Sequence, residues 1–207
     1  MTATFDEAVR ARLRALLVRS VGAVFSAGAD EVRPVGALSV RRRSVIVMNG
    51  ITYVRGDATA PHGKGVKIVA HVCNDLGGWG KGFVLAISRR WGEPETAYRR
   101  WHRERAHNDF GLGAAQFVQV EPYVWVANLV GQRGMRTGRS TGVPVRYEAI
   151  DAALGRLADK AAALGASVHM PRIGCGLAGG SWQRVEPLVL RRLVERGIPV
   201  TVYDFGA

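Results

Sequence analysis

Two glycine-rich stretches hold most of the residues with chemical potential. "HVCNDLGGWGKGF" (71–83) brings Asn74, Asp75, Trp79 and Lys81 together with Gly78, Gly80 and Gly82, and ends on Phe83. "HMPRIGCGLAGGSW" (169–182) sets Gly174, Gly176, Gly179 and Gly180 directly after an apolar, strand-like lead. A strand that runs into such a loop and on into a helix aims several backbone N–H groups, and the positive end of the helix dipole, at an anion close to the main chain. Glycine permits that approach and the positive φ values it requires. Two such loops at the carboxyl ends of parallel strands would embrace a diphosphate from both sides, where open α/β sheets bind ligands. "VRGDAT" adds a carboxylate, Asp57, at a further strand end. The second loop has neither a Walker Lys-Ser/Thr pair nor GxGxxG spacing, which excludes the ATP-binding and dinucleotide-dehydrogenase readings for it.

The elements that must position these residues are legible from periodicity. "ITYVRGD" reads as a strand ending in a Gly-Asp turn, and "KIVAHVC" (67–73) as the near-continuous apolar run of a strand covered on both faces. "GFVLAISRRW" and "EPETAYRRWHRERAH" have helical character, with Glu93, Pro94 and Glu95 suited to a helix start. "AQFVQV" and "YVWVANLV" form a strand pair around an "EP" turn. A helix over "RYEAIDAALGRLADKAAALG" leads to strand "SVHMP", the second loop, helix "WQRVEPLVLRRLVERG" and closing strand "PVTVY". Alternation of this kind defines an α/β domain.

Composition limits the function classes. The 207 residues, 47% hydrophobic, suffice for one well-cored domain and exclude general disorder. With 29 Lys plus Arg against 17 Asp plus Glu, the net charge of +12 favours a phosphate-bearing partner, nucleotide or nucleic acid. The two cysteines, Cys73 and Cys175, form no CxxC arrangement, and the five histidines lack zinc-site spacing. A reduced, metal-free cytoplasmic protein without a cofactor is expected. No apolar run reaches the roughly 18 residues of a membrane span, and Arg10, Arg12, Arg14 and Arg19 interrupt the only stretch resembling a signal sequence.

The chain divides near residue 48. Phe5, Val9, Leu13, Leu16, Leu17, Val21 and Val24 recur at helical spacing, so residues 1–47 are expected to hold an amphipathic helix and a basic linker. We expect this to be an accessory or wrongly assigned extension outside the native product, with translation able to begin at Met48. The domain proper is expected over residues 48–207.

The set "ITYVRGDAT", "AHVCND", "GGWGKGF" and "MPRIGCGLAGG" resembles the macrodomain family, whose members bind ADP-ribose. It is most similar to the branch of the terminal ADP-ribose glycohydrolase, which also carries a GD turn after an ITYV strand and a MPRIGCGL loop. The resemblance runs from about Ile51 to Phe205. It implies a three-layer α/β/α fold with a mixed, largely parallel central sheet and helices on both faces. Asp57 would accept a hydrogen bond from the adenine amino group, with Ala58 beside it. Asn74 and Asp75 would face the distal ribose. Gly78, Gly80, Gly82 and Phe83 would belong to the first phosphate loop, and Ile173, Gly174, Cys175, Gly176, Leu177 and Gly179 to the second. Trp79 would close over the distal ribose, Lys81 would meet the diphosphate or the scissile ester, and Gln132 would touch the distal sugar. Cys175 reads as a packing group, since no His stands in an obvious partner position.

The expected activity is removal of ADP-ribose from ester-linked acidic side chains, glutamate foremost, of mono-ADP-ribosylated proteins, by a protein acting as a monomer. Asp75 would polarise the water or the distal hydroxyl, because a general base must reach the reacting proton directly or through one water. Asn74 would fix the ribose, and Lys81 would offset charge as the bond breaks. Two departures bear on this. The glycohydrolase branch places an aspartate directly after GCGL, where this chain has Ala178, with Ser181 the next polar residue. Its catalytic lysine falls near the end of the strand matching "YVWVANLV", where nothing basic precedes Arg133, so a lysine adduct is not expected. Three alternatives stay open: a non-catalytic ADP-ribose reader, an ADP-ribose 1″-phosphate phosphatase, and a nucleic-acid binder for which the arginine-rich helix supplies the surface.

Overall fold

A computed structural model of the chain describes residues 45–135 and 142–204. Of the amphipathic helix and linker expected over residues 1–47, residues 1–44 lie outside the described residues. Seven strands form one sheet in the order β1-β2-β7-β6-β3-β5-β4: β1 Val45–Met48, β2 Ile51–Arg55, β3 Lys67–Asn74, β4 Ala115–Glu121, β5 Val124–Gln132, β6 Ser167–Pro171 and β7 Val200–Asp204. The five strands from β2 to β5 in that order run parallel, and β1 and β4 pair antiparallel at the two edges. Four described α-helices complete the order: α1 Phe83–Arg90, α2 Glu93–Arg103, α3 Tyr147–Leu164 and α4 Trp182–Arg192.

The period of two along the strands sorts the core into two faces. Ile68 and Ala70 of β3, with Ala127 and Leu129 of β5, pack with Ile150, Leu154 and Leu157 of α3 and Val185 and Val189 of α4. Val69 and Cys73, with Val126 and Val130, pack with Ile87 of α1 and Tyr98 and Trp101 of α2. These are the three layers and the mixed, largely parallel sheet implied by the resemblance. Strands buried on both faces need the continuous apolar runs noted above.

One expectation is corrected at the start of the sheet. The boundary at 48 leaves Val45, Ile46 and Val47 to the extension, yet they belong to β1, in register Met48↔Ile51 with β2. Asn49 at φ 51° and Gly50 at φ 82° form the turn between them. Positive φ at both central residues suits a type I′ hairpin, and Asn-Gly is its strongest short-range signal. The sheet therefore reaches back to Val45.

A buried polar node ties α2 to the sheet beneath the first glycine loop. Asn128 is fully buried and donates through Nδ2 to Pro94 O (3.1 Å) and Gln116 Oε1 (3.0 Å). Its Oδ1 therefore accepts from His71 Nε2 at 2.6 Å, which fixes the proton on that nitrogen. Burial pushes the His71 pKa down to about 4, with the Asn128 bond opposing. The imidazole is neutral and packs edge-on against Trp79, ring centroids 5.3 Å apart.

Candidate functional site

The carboxyl ends of β3, β5 and β6 lie side by side, and each opens into a loop. At the end of β3 the register with β5 shifts between Cys73 and Asn74. Such an irregularity bends a strand and re-aims its side chains. Asn74 is 7% exposed, and its Oδ1 accepts from the N–H groups of Leu76 (2.9 Å) and Gly78 (3.0 Å) while its Nδ2 donates to Gly78 O (2.6 Å). The Tyr98 hydroxyl donates to the Asn74 carbonyl. One side chain thereby folds the first loop around itself.

A cavity of about 630 Å³ opens above it. Its wall comprises Val72, Cys73 and Asn74 of β3, Gly78, Trp79, Gly80 and Lys81 of the first loop, Val84 of α1, Arg99 of α2, Gln132 and Met135, and Leu177 from the second loop. The floor is apolar. Lys81 and Arg99 give the wall two cations, and no carboxylate stands among these residues. Gln132 is the last residue of β5 rather than a residue beyond it, and its Nε2 donates to Gly134 O at 3.0 Å.

Of the residues expected at the site, the cavity brings together Asn74, Gly78, Trp79, Gly80, Lys81, Gln132 and Leu177. Asp75 is not in the wall. Its Oδ1 accepts from the Gly134 N–H at 2.7 Å and its own N–H donates to Gln132 O at 3.0 Å, so it fastens the first loop to the segment after β5. Gly82 caps α1 at φ 81°, and Phe83 lies near His71 with ring centroids 6.2 Å apart; neither lines the cavity. Asp57 and Ala58 are also outside it. Asp57 is exposed and its Oδ1 accepts from the Thr59 N–H at 2.8 Å, an Asx turn, while Ala58 is 2% exposed.

The second loop meets the cavity through Leu177 alone, leaving Ile173, Gly174, Cys175, Gly176 and Gly179 outside the wall. The reason is that the loop closes on its own backbone. Gly180 N–H donates to Gly174 O (2.9 Å), Cys175 N–H to Arg172 O (3.2 Å) and Gly179 N–H to Gly176 O (2.9 Å). A Cβ at Gly180 would lie 2.6 Å from the Gly174 carbonyl oxygen, so only glycine allows this crossing. Ile173 is 2% exposed in the core below. Among the described residues the amides of Gly176, Leu177 and Ala178 make no hydrogen bond.

The thiols are not poised as nucleophiles. Burial holds Cys73 well above the usual thiol range, and its Sγ lies 3.7 Å from His71 Nδ1, itself neutral. Burial also raises Cys175, with Arg172 partly opposing, and its Sγ contacts Ile173 O at 3.3 Å. Sequence reasoning missed Val72, Cys73, Val84, Arg99 and Met135. Arg99 was legible only as one charge in an arginine-rich helix. Its place in the wall depends on a bond from Nη2 to the Trp79 carbonyl (3.0 Å), twenty residues back.

The sequence and the fold match known proteins. No protein-family model matches the chain. A solved macrodomain protein from Streptomyces coelicolor is 74% identical and superposes with a TM-score of 0.68 over 75% of this chain and 99% of its own. The chromodomain-helicase-DNA-binding protein 1-like of Mus musculus is 30% identical over 164 residues; the match covers 75% of this chain but only 18% of that protein's length. The ADP-ribose 1″-phosphate phosphatase of Lodderomyces elongisporus is 27% identical over 168 residues, covering 74% of this chain and 99% of it. The chain belongs to the macrodomain family.

Proposed function

We propose that the protein binds ADP-ribose and hydrolyses its bond to ester-linked acidic side chains, glutamate foremost, of mono-ADP-ribosylated proteins. The observation that carries the reading is the cavity wall: two cations, Lys81 and Arg99, without a carboxylate, beside a loop with three successive unengaged amides. That set suits a diphosphate. The full-length match to a relative named for ADP-ribose 1″-phosphate supports a ligand built on ADP-ribose.

In this reaction water attacks the anomeric carbon of the distal ribose, the bond to the ester oxygen breaks, and the glutamate leaves as carboxylate. Asp75, which stands outside the wall, accepts the water's proton through one bridging water. In support, Asp75 directly follows the wall residue Asn74, and its Oδ2 has no partner among the described residues. Loop amides and the two cations offset the charge that develops as the bond breaks. The test is release of free ADP-ribose from a glutamate-modified protein beside an arginine-modified one at matched enzyme concentration. Release from the first alone is the expected result, and release from neither would refute the hydrolase.

The carboxylate-free wall favours one second reading, a reader that binds ADP-ribose without cleaving it. Binding with no release identifies it. Phosphate release from ADP-ribose 1″-phosphate, measured alongside, would instead align the protein with its phosphatase-named relative.

A further inference from the structure

Trp79 and Arg99 share a closed circuit of hydrogen bonds that includes two residues outside the cavity wall. The Trp79 indole Nε1 donates to Ser88 Oγ at 2.7 Å. Ser88 Oγ donates in turn to Glu95 Oε2 at 2.8 Å. The other carboxylate oxygen, Oε1, accepts from Arg99 Nε at 2.9 Å. Arg99 Nη2 then returns to the Trp79 carbonyl at 3.0 Å. The circuit joins the first loop, α1 and α2.

Stability does not account for the arrangement. The Glu95–Arg99 pair has side chains 31% and 43% exposed, and an i,i+4 pair so open to water contributes little. Direction is what it supplies. An indole N–H only donates, and the Ser88 hydroxyl, which both accepts and donates, relays that bond to the Glu95 carboxylate. Glu95 then sets the plane of the guanidinium, whose fork is rigid. Two of the five N–H donors of Arg99 are committed to this circuit, which leaves three uncommitted on a residue that lines the cavity.

We propose that Ser88 and Glu95 are positioning residues that fix Trp79 and Arg99 in the cavity wall, and that Arg99 so held is the wall's contact for a phosphate oxygen of the ligand. The proposal rests on the reading of this cavity as the ADP-ribose site. Charge-assisted contacts from a pre-oriented fork are short and directional, and a supporting shell left loose weakens the group it supports. Lys81, exposed and outside the circuit, supplies charge without a fixed direction.

The experiment uses the full chain as wild type, Ser88→Ala, Ser88→Thr and Arg99→Lys, with two readouts. The first is the Trp79 indole and Arg99 Nε–H resonances without ligand; the second is the ADP-ribose Kd by calorimetry. Ser88→Ala is expected to move both resonances, although Ser88 and Arg99 share no bond, and to weaken ADP-ribose about tenfold. Ser88→Thr, which keeps the hydroxyl, restores both, a recovery that a merely structural role would not predict. Arg99→Lys keeps the charge and loses the fork, and weakens binding by a similar factor. An Arg99 resonance unmoved in Ser88→Ala, or a Kd equal to wild type, overturns the proposal. If wild type itself does not bind ADP-ribose, the functional reading fails and the phosphate contact with it, while the two resonances still decide whether the circuit positions Trp79 and Arg99.

Discussion

The two glycine-rich loops look alike in sequence and are built in opposite ways. The first, after β3, is shaped by side chains: Asn74 folds it, Asp75 fastens it to Gly134, and the Trp79 indole anchors it to Ser88. The second, after β6, is shaped by its own backbone through the Gly180–Gly174 crossing. Its base is held by Arg172, which forms a two-pronged bond with Asp204 at 2.6 and 2.9 Å and lies over the rings of Tyr53 and Trp182. A loop held by side chains can place side chains in a cavity wall, and seven of the expected residues arrive there mostly from the first loop. A loop held by its backbone presents amides instead, and contributes one side chain, Leu177.

This contrast can be broken or sharpened by experiment. The largest effect is expected at the chemistry: Asp75→Ala should slow ADP-ribose release by roughly 10²- to 10⁴-fold, the contribution of one positioned base. Binding should persist, and turnover at the parental rate would remove Asp75 from the mechanism.

Acid should destabilise the domain, because β3 and β6, the strands that lead into the two loops, each carry a buried histidine. Burial holds His71, beneath the first loop, at about 4 and His169, on β6, at about 4, with Lys67 also lowering the latter. Both pKa values are depressed below that of the unfolded chain, which therefore binds more protons between pH 6.5 and 4. Stability is full above about pH 6.5 and falls as pH drops toward 4, by up to about 3 kcal/mol per histidine. Urea unfolding at stepped pH measures this, and a flat profile across that window would contradict it.

Asn74→Ala removes three loop hydrogen bonds from a buried position and should cost about 2–3 kcal/mol in thermal or urea unfolding. Asn74→Asp, which keeps the two accepted bonds, should recover part of that loss. Gly180→Ala acts on the other loop by forcing Cβ against a carbonyl, at a cost of about 1–3 kcal/mol. It should displace the Gly176–Ala178 amides and leave the first loop's resonances in place. If Gly180→Ala perturbed both loops equally, the two would not be the independent constructions described above.

Much of this fold was legible because its signals are local. The apolar runs of β3 and β5 and the Glu-Pro-Glu start of α2 each fix an element within about ten residues. The β1 hairpin was equally local, carried by Asn49-Gly50, but its apolar strand fell on the far side of a boundary drawn from composition. The site divides differently. Asn74, Trp79 and Lys81 sit in the stretch that forms the wall, so their grouping follows from chain adjacency. Asp75 shows the limit of adjacency: its neighbour faces the cavity while it turns to Gly134, 59 residues away. Arg99 shows the converse, since only the packing of α2 against the first loop separates it from the solvated arginines of the same helix.

The measurement that tests the central claim most directly is a titration of the protein with ADP-ribose, followed through its backbone amide and indole N–H resonances. The account predicts saturable shifts centred on Gly78, Trp79, Gly80 and Gln132, together with the amides of Gly176, Leu177 and Ala178. Shifts absent from both loops, or confined to the exposed arginines of α2, would contradict it.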